Sequence, residues 1–127
     1  MPKIAVSTHE APAPVAAYSQ AVRKGNILQV AGQGPTDPTT GKYAGTEVAE
    51  QTHQTMLNIQ AILRAGGADF DDVMMMRVYL TKVADFAGMN EVYSKFVSAP
   101  FPGRTTVYVG LPEGMLVEID ALAVLED

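Results

Sequence analysis

Residues 104–124, RTTVYVGLPEGMLVEIDALAV, set Arg104, Glu118 and Asp120 among side chains that otherwise read as buried sheet. A guanidinium offers a planar fork of donors that matches a carboxylate, and a second carboxylate close by can orient or deprotonate water. If GLPEG is a five-residue hairpin loop, antiparallel pairing sets Arg104 opposite Asp120 and Thr106 opposite Glu118. Arg104, Thr106, Tyr108, Leu116, Glu118 and Asp120 then share one face, with Val107, Val117 and Ile119 on the face under the helices.

Two accounts of these charges stay open. In one they form a solvated ladder, Arg104 pairing with Asp120 opposite or Glu118 on the diagonal, which contributes little stability. In the other, Leu116, Leu122 and Val124 make the face partly apolar, so that another subunit shields it and the charges are held ready for a ligand. Arg104 would then serve mainly for holding a small carboxylate, and Glu118 mainly for turnover.

Other residue sets offer less chemistry. Cysteine is absent, which removes disulfides, thiolate nucleophiles and cysteine-ligated metals, and His9 and His53 have no ligand spacing, so no metal site is expected. GQGPTDPTTG lacks both the third glycine of a dinucleotide loop and the Gly-Lys-Ser/Thr of a phosphate loop. No serine sits in a nucleophile elbow. Tyr18 is either packing or an aromatic wall for a ligand, and Asn90 sits where a buried hydrogen bond is expected.

The elements that must position these groups fit one domain over residues 1–127, long enough to bury roughly two-thirds of its unfolded surface. The net charge is −5, and the nine basic residues are dispersed, a poor footprint for a polyanion. The first residues lack the apolar run of a signal peptide, so a cytoplasmic location is expected.

YSQAVRK and NILQVAG read as a hairpin turning at Gly25-Asn26. A helix is predicted from Thr46 as N-cap to Gly66-Gly67, with Val48, Thr52, Met56, Ile59 and Leu63 inward. DDVMMMRVYLT reads as a strand with Met74, Met76, Val78 and Leu80 on one face, and with Val73, Met75, Arg77 and Tyr79 on the other. Both faces carry apolar groups, so the second needs another layer or another subunit. Asp85 is placed as the cap of a second helix that ends before Pro100 and Pro102. The order hairpin, helix, strand, helix, hairpin predicts an α+β fold: a mixed β-sheet with two crossover helices packed on one face.

In sequence the chain resembles the RidA (YjgF-type) family of reactive-intermediate and imine deaminases. The resemblance runs almost end to end: YSQAV at 18–22, the GNxxxVxGQ pattern at 25–33, DPTTGKY at 37–43, EQTHQTMLNIQAIL at 50–63, then RVYLTKVADFAGMNEVY, PGRTTV and LPEGMLVEIDALAV. It implies a chorismate-mutase-like fold assembled as a homotrimer with clefts between subunits. By that resemblance Arg104 binds the substrate carboxylate and Glu118 positions water, while Tyr18, Asn90, Thr106, Ala31 and Gly32 belong to the substrate-binding wall. Ala31 stands where many members have serine, and Gly34 where an aliphatic residue is usual.

The reaction implied is hydrolysis of 2-aminoacrylate or a related 2-imino acid to a 2-oxo acid and ammonia, without metal or cofactor. Two other classes compete. An endoribonuclease or translation inhibitor is disfavoured by the dispersed basic residues. A non-catalytic binder of small carboxylates is favoured by Ala31 standing where a hydroxyl is usual.

Overall fold

The computed structural model describes residues 1–126. Six strands form one sheet: β1 (Ile4–Val6), β2 (Ala21–Lys24), β3 (Ile27–Gln33), β4 (Val73–Leu80), β5 (Gly103–Tyr108) and β6 (Val117–Val124), with helices α1 (Val48–Ala65) and α2 (Phe86–Tyr93) between them. Their spatial order is β1-β2-β3-β6-β4-β5. Only β4 and β5 pair in parallel; every other neighbouring pair is antiparallel. The mixed sheet and two helices follow the sequence prediction, and β1 is an addition to it.

The terminal hairpin does not form. β4 lies between β5 and β6, so Arg104 is opposite Met76 and Thr106 opposite Val78 in parallel register, while Glu118 is opposite Tyr79 and Asp120 opposite Arg77. Cross-strand neighbours share a face. Arg104 and Thr106 therefore lie on the side of Met76, Val78 and Ile119, which are fully buried beneath the helices. Glu118 and Asp120 point to the opposite side, and the shared face predicted for all four residues is overturned. Val117 and Ile119 pack inward as predicted; Val107, 39% exposed, does not.

Helix α1 begins one residue later than predicted. Its N-cap is Glu47, in a capping box with Glu50 that satisfies two otherwise unpaired backbone donors. It stops at Gly66, whose N–H bonds back to the carbonyls of Ile62 and Leu63. A Cβ at Gly66 would lie 2.7 Å from a Leu28 methyl, so the helix end abuts β3 too closely for a side chain. Met56, Ile59, Ile62 and Leu63 are fully buried, each contributing about 1.5–3 kcal/mol by leaving water.

A register shift in β4 between Val73 and Met75 turns Val73 inward and leaves Met74 62% exposed, reversing both predicted positions. Helix α2 follows a single 3₁₀ turn, Val83–Asp85, and Asp85 makes no side-chain cap hydrogen bond. The core lies between the helices and one face of the sheet. The other face carries exposed Ile27, Val107 and Val124. Among the described residues no helix is long and apolar enough to cross a membrane.

Candidate active site

Arg104 leaves the edge strand β5 toward α2. Its Nη1 donates to Asn90 Oδ1 at 2.7 Å, and its Cζ lies 4.8 Å from the Tyr93 ring centroid and 5.5 Å from that of Phe86. Two aromatic rings and one amide oxygen thus fix the guanidinium plane, a cation–π arrangement that holds the charge without neutralising it. Burial pushes the Tyr93 phenol pKa up, and the nearby Arg104 charge opposes that rise. The cavity beside Arg104, about 430 Å³, is lined by Asn90, Tyr93, Val97, Phe101 and Pro102 among others. Phe101 is 66% exposed at its mouth.

Glu118 lies across the sheet in a second crevice of about 590 Å³, walled by Tyr18, Gly32, Gly34, Tyr43 and Met115. It has no hydrogen bond or ion pair among the described residues. Burial pushes its pKa up, and the negative charge of Asp120 adds to the rise. Gly32 makes room for it: a Cβ there would lie 2.8 Å from Glu118 Oε2, so any side chain would displace the carboxylate. A Cβ at Gly34 would come within 2.7 Å of Met115 Cε, so Met115 occupies the space a larger residue would need.

Helix α1 fixes the rim of this crevice. Gln51 Nε2 donates to the carbonyls of Gly45 (3.2 Å) and Gly114 (2.8 Å), and Gln51 Oε1 accepts from Leu116 N–H at 2.8 Å. Asn58 Nδ2 donates to the carbonyls of Gly34 (3.1 Å) and Thr36 (2.9 Å). Both amides are fully buried, and they tie two loops to one rigid element. Neither is among the residues marked by apolar periodicity, although polar residues seven apart on a buried helical stripe are a signal for such a role.

The structure thus brings Arg104 and Asn90 together, and Tyr18, Gly32 and Glu118 together, but not the two groups. Thr106 follows Arg104 on the helix side. Ala31 flanks Gly32, its N–H donating to the carbonyl of Gln20 at 2.9 Å. Asp120 does not pair with Arg104, its partner in the solvated-ladder account; Arg77 Nε donates to its Oδ1 at 2.8 Å and Tyr79 OH to its Oδ2 at 2.9 Å. Among the described residues no three His, Asp or Glu side chains converge as metal ligands. A third cavity, about 640 Å³, lies between β1 and the end of α1. The Arg23 guanidinium there is already engaged with the carbonyls of Gly25 and Gly66.

Comparison with known proteins adds a family. The profile of the family described as Endoribonuclease L-PSP matches residues 8–125. A RutC family protein of Pyrococcus horikoshii is 44% identical over 125 residues, covering 98% of this chain and 99% of its own. A Bos taurus protein named 2-iminobutanoate/2-iminopropanoate deaminase is 40% identical over 120 residues, 94% of this chain and 88% of its own. The crystal structure of RidA from the Antarctic bacterium Psychrobacter sp. PAMC 21119 superposes with a TM-score of 0.92 at 39% identity, covering 96% of this chain and 99% of that one.

Proposed function

Since the chain belongs to the RidA/YjgF family, we propose that it is an imine deaminase, hydrolysing 2-imino acids such as the imine tautomer of 2-aminoacrylate in clefts shared between the copies of a homotrimer. The observation that carries this reading is the placement of Arg104 and Glu118 on opposite faces of one sheet. A single chain cannot bring both to one small molecule. A second copy, setting its β5–α2 edge against the Glu118 crevice, would close a cleft with a guanidinium at one end and a carboxylate at the other. The exposed Ile27, Val107 and Val124 give such a contact apolar surface to bury.

Within that cleft Arg104 grips the substrate carboxylate through two parallel hydrogen bonds, its plane already set by Asn90 and the two rings. Glu118 takes a proton from a water molecule as the water oxygen bonds to the imine carbon. That proton passes to the nitrogen to give a carbinolamine; Glu118 then carries the hydroxyl proton to the same nitrogen, the carbon–nitrogen bond breaks, and ammonia leaves as the carbonyl forms. Water and imine are thereby converted to 2-oxo acid and ammonia with no oxidant or reductant. Because imines hydrolyse unaided, orientation and a poised carboxylate are sufficient help.

The test supplies a 2-imino acid from an amino-acid oxidase in the presence of semicarbazide, which competes for it. Catalytic amounts of the protein should divert the imine to 2-oxo acid, and the Arg104→Ala variant should not. An initial rate of semicarbazone formation unaffected by the wild-type protein would refute the activity.

The family's endoribonuclease description motivates the rival activity, but the nine basic residues are dispersed along the sequence and two are already paired with carboxylates, Arg64 with Asp69 and Arg77 with Asp120. RNA cleavage with a steep salt dependence, unchanged by Arg104→Ala, would favour that rival.

A further inference from the structure

The open face of the sheet holds a second carboxylate that the mechanism above leaves unused. Asp120 and Glu118 are two residues apart on β6, side by side on one face and about 7 Å apart along the strand. Their surroundings are opposite. Asp120 is 8% exposed with both oxygens occupied, one by Arg77 Nε and one by the Tyr79 hydroxyl. Among the described residues Glu118 has no such partner. Its cross-strand neighbour is Tyr79, but the Tyr79 hydroxyl donates to Asp120. The donor best placed to quiet Glu118 is thereby committed elsewhere.

We propose that Asp120, pinned by Arg77 and Tyr79, is a positioning residue that acts through Glu118, a fixed negative charge that keeps its neighbour able to take up and return a proton during turnover. This deepens the reading of Glu118 given above and rests on it. Two carboxyl groups whose environments differ in this way divide labour, one tied into an ion pair and the other exchanging protons. Burial and the Asp120 charge act on Glu118 in the same direction, both disfavouring its ionised form.

The other groups that bear on Glu118 are few. The crevice wall contributes the phenols of Tyr18 and Tyr43, the neutral amides of Gln20 and Gln33, and no further charge. Arg77 opposes Asp120, but its side chain is 51% exposed against 12% for Asp120, so water screens it more. In the proposed cleft, Arg104 of a neighbouring copy faces Glu118 until a substrate carboxylate engages it.

Opposite displacements of one pH limb test the proposal. The acidic limb of the kcat profile should move to lower pH in Asp120→Asn, which removes a negative charge, and to higher pH in Arg77→Met, which removes a positive one. At neutral pH Asp120→Asn should lower kcat about tenfold with KM changed by less than about twofold. Arg77 is half exposed, so its variant keeps the test open if Asp120→Asn fails to fold.

A carbon-13 NMR titration of the Glu118 carboxyl, in wild type and both variants, reads the same coupling without turnover. If the wild type proves inactive while the carboxyl titration shifts as predicted, the deaminase reading fails and the electrostatic coupling stands. If the protein is active but neither variant moves the limb or the titration, or both merely lower activity at every pH, the proposal is overturned.

Discussion

At the scale of single residues, the Arg104 guanidinium is held by one amide oxygen and two aromatic rings rather than by a carboxylate. Within one chain the guanidinium is therefore not committed to an anion. Arg104→Lys keeps the charge but loses the planar fork and the stacking, so kcat/KM should fall by about two orders of magnitude, chiefly through KM. Glu118→Gln should instead lower kcat by about 10²–10³ at nearly constant KM, because it removes proton transfer while leaving the carboxylate grip intact.

The same substitution has a stability signature whose sign follows from the raised Glu118 pKa. A carboxyl with a folded-state pKa above its unfolded value binds its proton more tightly when folded, so its ionisation weakens the fold as pH rises through the folded value. Glu118→Gln should therefore be more stable than wild type at neutral pH. The difference should vanish as pH falls below the unfolded value near 4.5, where both side chains are neutral. Paired denaturant titrations at neutral and acidic pH measure it.

At the scale of elements, α1 both caps the core and anchors the crevice rim. Replacing the fully buried Gln51 by leucine leaves Leu116 N–H and the carbonyls of Gly45 and Gly114 without their partner. That should cost about 2–4 kcal/mol in a urea titration. Gly32→Ala has a different expected outcome: near-normal stability with kcat reduced, because the added methyl group meets the mobile end of Glu118 rather than backbone.

The elements themselves were largely legible. Helical spacing from Val48 to Leu63, the Gly25-Asn26 turn and the stop at Gly66 are local signals, and each appears in the structure. The pairing of β5 was not legible, because a short Gly- and Pro-containing segment between two apolar runs is the local signature of a hairpin. What overrides that signature is the parallel register of β5 with β4, a long-range choice that leaves no mark in local periodicity. Shifting a strand to a new neighbour reassigns its faces, and so Arg104 moved away from Glu118 and Asp120. The β4 pattern carries the needed clue in Arg77, a charge on a largely apolar strand that pairs opposite Asp120.

At the scale of the whole molecule, one sheet separates a guanidinium crevice from a carboxylate crevice, and the account requires copies of the chain to join them. The most direct test mixes two inactive proteins. Arg104→Ala subunits keep Glu118, Glu118→Gln subunits keep Arg104, and the two are unfolded together at equal concentrations and refolded. In a closed ring each interface then has about one chance in four of combining an intact Glu118 with an intact Arg104, so roughly a quarter of wild-type deaminase activity should return. Activity that stays at the level of the separate variants, although mass analysis finds mixed oligomers, would contradict a site shared between copies.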